Sequence, residues 1–230
     1  ITELRKMVYQ CEGKPRKGYR LIARPDVLVP EEVACFNRAE RIGRSICYVE
    51  ETPSTQHLAN AWAEEGAEHG ALVLSDEQTG GKGRMGRHWH SPPRSGVWMS
   101  FVLKPNIQLV LAPHLTLLWS VAVTRALRRE TEADVVIKWP NDLFINGKKV
   151  CGILTEVRAE ADRIEYCVVG IGINVHVRPD QWPEELRSIA TSLDAETGRF
   201  LHRASIVAAC CEEIEAIMRL YEDNGFSPVR

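Results

Sequence analysis

VVIKWPNDLFINGKKVCGILTEVRAEADRIEYCVVGIGINV, residues 135–175, is the stretch that decides the fold. It holds four strand-like runs, Val135 to Trp139, Leu143 to Ile145, Lys149 to Arg158 and Ile164 to Val175. Asn146-Gly147, between the second and third runs, is the residue pair that tight two-residue hairpins select. Strands joined by turns this short lie antiparallel. Pro140 turns the chain at the end of the first run. Gly152 interrupts one apolar run, and Gly170 and Gly172 alternate in the next. Glycine inside a strand marks the close approach of a ligand or another backbone. Two adjacent strands with missing side chains leave a slot.

Outward from this stretch, helices and strands alternate without a regular βαβ rhythm. Leu115, Leu118, Trp119, Ala122 and Ala126 repeat as one face of an amphipathic helix. Cys47 to Glu50, Ala71 to Ser75 and Val97 to Leu103 read as further strands. Ser54 is placed to cap a helix whose apolar face carries Leu58, Ala61, Trp62 and Glu65. The last helix, Ala204 to Asn224, presents Val207, Cys210, Ile214, Ile217 and Tyr221, and Gly225 stops it. The fold class is α+β, a mixed, largely antiparallel sheet backed by helices. Ile1 to Met7 reads as the end of a helix, Tyr19 to Ile22 as part of a small hairpin, and residues 25–45 as a connection with one short helix, where we place a domain boundary.

The chain has 230 residues, 44% hydrophobic and 26% charged, with a net charge of −2. That composition excludes disorder and a disulfide-stapled miniprotein. Seven cysteines, with no C-x-x-C, point to reduced packing residues. No apolar run approaches the length needed to span a bilayer, and ITELRKMVYQ lacks a secretory signal's apolar stretch, so the expected setting is the cytoplasm with no membrane contact. Charge is uneven: residues 1–24 carry seven basic side chains against Glu3 and Glu12. A basic arm on an acidic body fits a polyanion such as nucleic acid or, equally, a solvated segment.

The chemistry concentrates in three places. Gly80-Gly81-Lys82-Gly83-Arg84-Met85-Gly86-Arg87 joins backbone amides that can approach an anion to three cations, yet it is neither a Walker A loop nor a dinucleotide fingerprint. Lys138-Trp139-Pro140-Asn141-Asp142 sets a cation, an amide and a carboxylate at a strand end, and Lys149 precedes the glycine of its strand. His88 and His90 form an H-x-H without a third candidate ligand, so no protein-held metal is expected.

In that order and at those separations, Gln78 to Arg87, Lys138 to Asp142, Gly152-Ile153-Leu154 and Gly170 to Asn174 resemble biotin protein ligases, from about Ser45 to Pro228. The opening segment resembles the recognition-helix end and wing of the winged helix-turn-helix in ligases that double as biotin repressors. The resemblance implies a class II synthetase-like catalytic domain over 46–230, a remnant of the DNA-binding domain at 1–24, a linker at 25–45, and the absence of the family's C-terminal SH3-like barrel. It implies activation of biotin by ATP and Mg2+ to biotinyl-5′-AMP. Biotin then passes to a lysine of the biotin carboxyl carrier protein of acetyl-CoA carboxylase, or of another biotin-dependent carboxylase. Operator DNA and homodimer formation are implied for the intact protein.

By position in the family's motifs, Ser54, Thr55, Gln56 and Gln78 would meet the ureido ring. Lys82, Gly83, Arg84 and Lys149 would lie along the vitamin, Gly152, Ile153 and Leu154 would line it, and Gly170 and Gly172 would close its floor. Gly81, Arg84, Arg87, Trp89, Asn141 and Asn174 would face the nucleotide, with the Trp89 indole stacking on adenine. Arg84 and Lys149 are the expected catalytic cations, with Asp142 facing the adenylate and the incoming lysine. Lys82 stands where the family usually has arginine, which keeps the charge and loses the planar fork. A lipoate or octanoate ligase or transferase of the same superfamily is the alternative; those families lack the paired-basic glycine loop joined to Lys-Trp-Pro-Asn-Asp.

Overall fold

Strand pairing follows the turn signals. The computed structural model describes residues 9–14 and 18–225; the helix expected at Ile1 to Met7 and the tail 226–230 lie outside the described residues. A short hairpin, β1 (Gln10–Lys14) and β2 (Gly18–Ala23), comes first, then α1 (Pro30–Phe36). The main body runs β3 (Ile46–Thr52), α2 (Thr55–Glu64), β4 (Ala71–Gln78), β5 (Gly96–Leu103), α3 (Ala112–Thr131), β6 (Val136–Lys138), β7 (Asp142–Ile145), β8 (Lys148–Glu160), β9 (Arg163–Asn174), α4 (Leu193–Thr197) and α5 (Arg203–Asn224). Seven strands form one sheet in the order β3-β4-β5-β9-β8-β7-β6. Only the β3–β4 pair is parallel among them, and Asn146 and Gly147 both take positive φ at the β7–β8 turn.

Side chains alternate between the faces of a strand, and here the two faces do different work. On one face, Met99 and Phe101 of β5, Ile153 of β8 and Val169, Ile171 and Ile173 of β9 join the main core under α3 and α5. On the other, Val102, Tyr166 and Val168 pack under α2 with Ala59 and Ala63. Farther along that second face the residues become Ser100, Gly170, Gly172 and Gly152, and the helix cover ends. The slot is the uncovered end of a helix-covered face.

Three sequence expectations need revision. The apolar face of α2 is built on Ala59 and Ala63, with Leu58 and Trp62 flanking, whereas Ala61 and Glu65 are exposed. Small alanines let the helix lie close to the sheet. Residues 25–45 carry their one short helix but are packed, with Leu28, Val33 and Ile42 fully buried in the main core. The helix containing α3, Leu109–Thr131, is long and apolar enough to cross a membrane by length and composition. Its Leu115, Leu118, Trp119, Ala122 and Leu127 are instead buried in the core, which is where such composition is also required.

A buried cation ties the first part of this packing to the last. Arg203, 1% exposed at the start of α5, reaches Asp26 at 2.6 Å and Asp76 at 2.7 Å. Tyr48 donates to the other oxygen of Asp76 at 2.8 Å, and His176 lies between Asp26 (3.1 Å) and Asp194 (2.6 Å). Burial opposes the charge on Asp26, but His176 and Arg203 outweigh it and hold the carboxyl at about 2. Burial likewise opposes the His176 imidazolium, and its bonds to Asp26 and Asp194 raise the pKa above the ordinary histidine value.

Arg203→Met removes the buried cation that Asp26 and Asp76 share and is expected to cost about 3–5 kcal/mol in urea unfolding. The pH dependence has a definite sign. The folded state holds the His176 proton more tightly than the unfolded chain, so this stabilisation is complete below about pH 6.5 and is lost as pH rises through the folded value. Asp26 acts oppositely: its share is present above about pH 4 and is lost as pH falls towards 2. His176→Gln should therefore flatten the decline in urea midpoint on the alkaline side, and an undiminished slope would count against this assignment.

Candidate active site

The uncovered end of the sheet is bounded by the start of α2, the β4–β5 loop, the β6–β7 turn and the paired strands β8 and β9. Ser54 sits at the N-cap of α2 with extended backbone, yet its hydroxyl makes no capping bond. Gln78 substitutes for it: its Oε1 accepts the Thr55 N–H at 2.9 Å and faces the Thr55 hydroxyl at 3.1 Å. Ser54 is thus left to line the cleft.

The β4–β5 loop folds back on itself. Trp89 N–H donates to Gly81 O at 2.8 Å and Gly83 N–H to Arg87 O at 2.7 Å, with Arg84–Gly86 as a single 3-10 turn at the tip. Arg84 leaves this turn to donate to Asn141 Oδ1 at 3.0 Å, and Asn141 Nδ2 donates to Ile153 O at 2.9 Å. Loop, β6–β7 turn and β8 are joined through one amide. Lys82 bonds back to His57 of α2 at 2.6 Å. Lys149 Nζ lies 2.7 Å from Asp142 Oδ1, a charge pair without hydrogen-bond alignment, and 5.0 Å from the centroid of the Trp89 ring.

Gly152 and Gly172 are direct partners across β8 and β9, and Gly170 sits between Leu154 and Ser100. The Trp89 indole lies over this pair. A Cβ on Gly152 would come within 2.8 Å of the ring, and one on Gly172 would strike it. Only glycine permits this approach. Trp89 Nε1 is buried there with no hydrogen-bond partner.

Two clefts result. The inner one is lined by all the residues expected to hold the vitamin: Ser54, Thr55, Gln56, Gln78, Lys82, Gly83, Arg84, Lys149, Gly152, Ile153, Leu154, Gly170 and Gly172. The outer, larger one is lined by Arg84, Arg87, Trp89, Asn141 and Asn174 among the residues expected at a nucleotide. Gly81 lines neither: it is buried against Trp89 O and Ser91, where a side chain would not fit. Trp89, expected against a base, stands as the partition between the clefts. Arg84, Asp142 and Lys149 line both.

Some of the lining had no sequence expectation. Ser100 supplies a buried hydroxyl to the inner cleft, signalled only by a polar residue in an otherwise apolar strand. His90, Trp182, Ile189 and Ala190 wall the outer cleft, and Lys149 is bridged to that wall through Ile189 O and Thr191 N–H. Burial pulls His90 below the ordinary histidine value against its bond to Gln181 O. Cys151, beside Gly152, is fully buried and its thiol is pushed well up by burial, so it is no nucleophile.

A slot with a polar head thus opens beside two cations onto a larger cleft. The comparisons specify the class. Residues 48–174 match the Biotin/lipoate A/B protein ligase family. The whole chain is 44% identical to the Bifunctional ligase/repressor BirA of Bacillus subtilis (strain 168), covering 71% of that protein. It is 31% identical to the Biotin--[acetyl-CoA-carboxylase] ligase of Paracoccus denitrificans over 70% of this chain and 68% of that protein. The biotin protein ligase from Aquifex aeolicus in complex with biotin and ATP shares the fold with a TM-score of 0.70 and 31% identity, over 80% of this chain and 75% of that one. The chain belongs to the biotin/lipoate A/B protein ligase family and is a biotin ligase enzyme.

Proposed function

We propose that the inner cleft takes biotin, that the outer cleft takes ATP, and that the enzyme joins them to biotinyl-5′-AMP before passing biotin to a carrier lysine. The observation that carries this reading is the shared wall: Arg84 and Lys149 border both clefts at the one place where they meet. A biotin with its ring at the polar head, beside Gly170, would bring its carboxylate to that wall. A carboxylate attacking an α-phosphorus meets an anion, and fixed cations there cancel the repulsion and stabilise the charge that builds on the phosphoryl oxygens. A carboxylate oxygen bonds to the α-phosphorus as pyrophosphate leaves; the carrier amine then attacks the acyl carbon as AMP leaves.

The residues fit the substrates in two further respects. Asn174 Oδ1 is buried on the outer cleft with no partner while its Nδ2 donates to Thr191 O at 3.1 Å. An unpaired buried acceptor fits an amino group such as that of adenine. Asp142, paired with Lys149, restrains the ammonium until substrate anions compete for it, and its carboxylate can take the proton of the carrier amine. Among the described residues no group of three or more His, Cys, Asp or Glu gathers to hold an ion. We therefore assign Mg2+ to the nucleotide's phosphates, and no step here runs through it.

The carrier we assign is the biotin carboxyl carrier domain of acetyl-CoA carboxylase or a related carboxylase, in the cytoplasm. A role in operator binding as a homodimer rests on the bifunctional relative and the basic opening segment. Arg24 of that segment is not free for phosphate: it bonds Glu32 at 3.1 Å and lies 5.5 Å from the centre of the Phe36 ring.

Calorimetric titration with biotin and, separately, lipoate tests the reading. Biotin should bind tightly and lipoate not at all, with Arg84→Ala weakening biotin at least about tenfold through loss of a charged contact. Lipoate binding in place of biotin would move the enzyme to the alternative branch of the superfamily. The Lys82–His57 bond holds the loop on α2, and an arginine would add its fork to that hold; Lys82→Arg should slow release of the adenylate in a single-turnover assay without carrier. An unchanged release rate would show that this side chain does not order the loop.

A further inference from the structure

The polar head of the inner cleft is a row of four side chains whose hydrogen atoms can be counted. Thr55 Oγ1 lies 3.1 Å from Gln78 Oε1 and 2.9 Å from Ser100 Oγ, and Ser100 Oγ lies 3.2 Å from Gln56 Oε1. These three contacts share two hydroxyl protons. Neither end can supply another, because both amides are pinned with their oxygens inward. Gln78 Nε2 donates to Ser91 Oγ at 2.9 Å, and the Ser91 hydroxyl is within 3.1 Å of Trp89 O. Gln56 Nε2 faces two groups that can only accept, Val168 O at 3.1 Å and Glu156 Oε2 at 3.1 Å.

The row has two hydroxyl hydrogens for three contacts, so at any moment one contact goes without. If Thr55 donates to Gln78 and Ser100 to Thr55, Gln56 Oε1 is bare. If Thr55 donates to Ser100 and Ser100 to Gln56, Gln78 Oε1 keeps only the Thr55 backbone N–H. A ligand N–H arriving at any oxygen of the row completes it, because the two hydroxyls can turn to suit. A ligand head without a donor gains no bond from the inward amide oxygens and buries their remaining lone pairs, which disfavours binding.

We infer that Glu156, an exposed residue outside the cleft, is a positioning residue for substrate specificity: it fixes the Gln56 amide with its oxygen inward and so commits the pocket to a head group that donates N–H. Glu156 occupies the same face of β8 as Gly152 and Leu154, is the register partner of Val168, and takes both Gln56 Nε2 and, at 2.9 Å, Asn60 Nδ2 on one oxygen. Without it, Val168 O alone would hold the amide. The inference rests on the proposed biotin assignment of the inner cleft.

The test compares wild type, Glu156→Ala and Glu156→Gln by biotin titration, steady-state kinetics and thermal unfolding. Glu156→Ala should weaken biotin and raise the biotin KM by roughly five- to tenfold, the loss of one charged hydrogen bond. The ATP KM, kcat and Tm should stay at wild-type values, since an exposed carboxylate supports no core. Glu156→Gln keeps an accepting oxygen and should recover most of the affinity. Unaltered biotin binding by Glu156→Ala, an equal loss for ATP, a lowered Tm, or no recovery in Glu156→Gln would each overturn the inference while leaving the biotin assignment standing. Failure of the wild-type protein to bind biotin would overturn the assignment itself, and the inference with it.

Discussion

Everything in the catalytic end of this molecule depends on the register in which β8 meets β9. Gly152 and Gly172 must be opposite one another, since only the pair leaves a seat wide enough for the Trp89 indole that divides the two clefts. Side chains alternate with a period of two, so a slip of one residue would bring Ile153 or Cys151 to the floor and turn the glycines into the core. That slip is opposed from the other face, where Cys151, Ile153, Ile171 and Ile173 are all buried under α3 and α5. The apolar face sets the register, and the glycine face uses it. Fully burying one such aliphatic side chain contributes on the order of 1.5–3 kcal/mol, so several together make the alternative pairing inaccessible.

A break in that alternation brings Lys149 to where the clefts meet: the β7–β8 register shifts between the Leu143–Cys151 and Phe144–Lys149 pairs. Lys149 enters β8 three residues before Gly152, beyond the end of the floor, and its ammonium turns back over the Trp89 ring towards Asp142. Arg84 arrives from the opposite side, on a loop tip anchored by the amide of Asn141. Two cations brought together without a ligand repel one another, and each is held by a group it can surrender. Lys149 is held by a half-buried carboxylate and Arg84 by a neutral amide. Anionic substrates can then compete for both without breaking the backbone bonds that carry the loop.

Much of this was legible in the chain because it is written in short-range chemistry. Asn146-Gly147 announces its turn, the alternation through 149–175 announces the strands, and Gly170 and Gly172 announce their own missing side chains. What was not legible depended on distance in sequence. The Arg203 cluster joins residues 26, 76, 176 and 194, none of which carries a local signature. The outer wall at Trp182 to Ala190 is irregular backbone held by Lys149 through two main-chain bonds. The seat of Trp89 was not legible either, because its position is decided by two glycines more than sixty residues away. On α2, periodicity alone selected Leu58 and Trp62; closeness to the sheet selected Ala59 and Ala63.

The two halves of the inner cleft divide the labour of recognition. Its floor is backbone and glycine, its sides are Ile153 and Leu154, and none of these can distinguish one flat apolar body from another of similar thickness. One missing methylene in such a slot changes affinity by only about 1–3 kcal/mol. Discrimination must come from the head, where oxygens are buried and hydrogen atoms are scarce. A buried acceptor that finds no donor is penalised whatever the rest of the ligand gains. The sheet therefore provides the room, and the pinned amides of Gln56 and Gln78 provide the choice. Their orientation is set from outside the cleft, by Val168 O and Glu156 on one side and by Ser91 on the other. On the proposed assignment of the inner cleft, specificity is thus set by groups that need never touch the ligand.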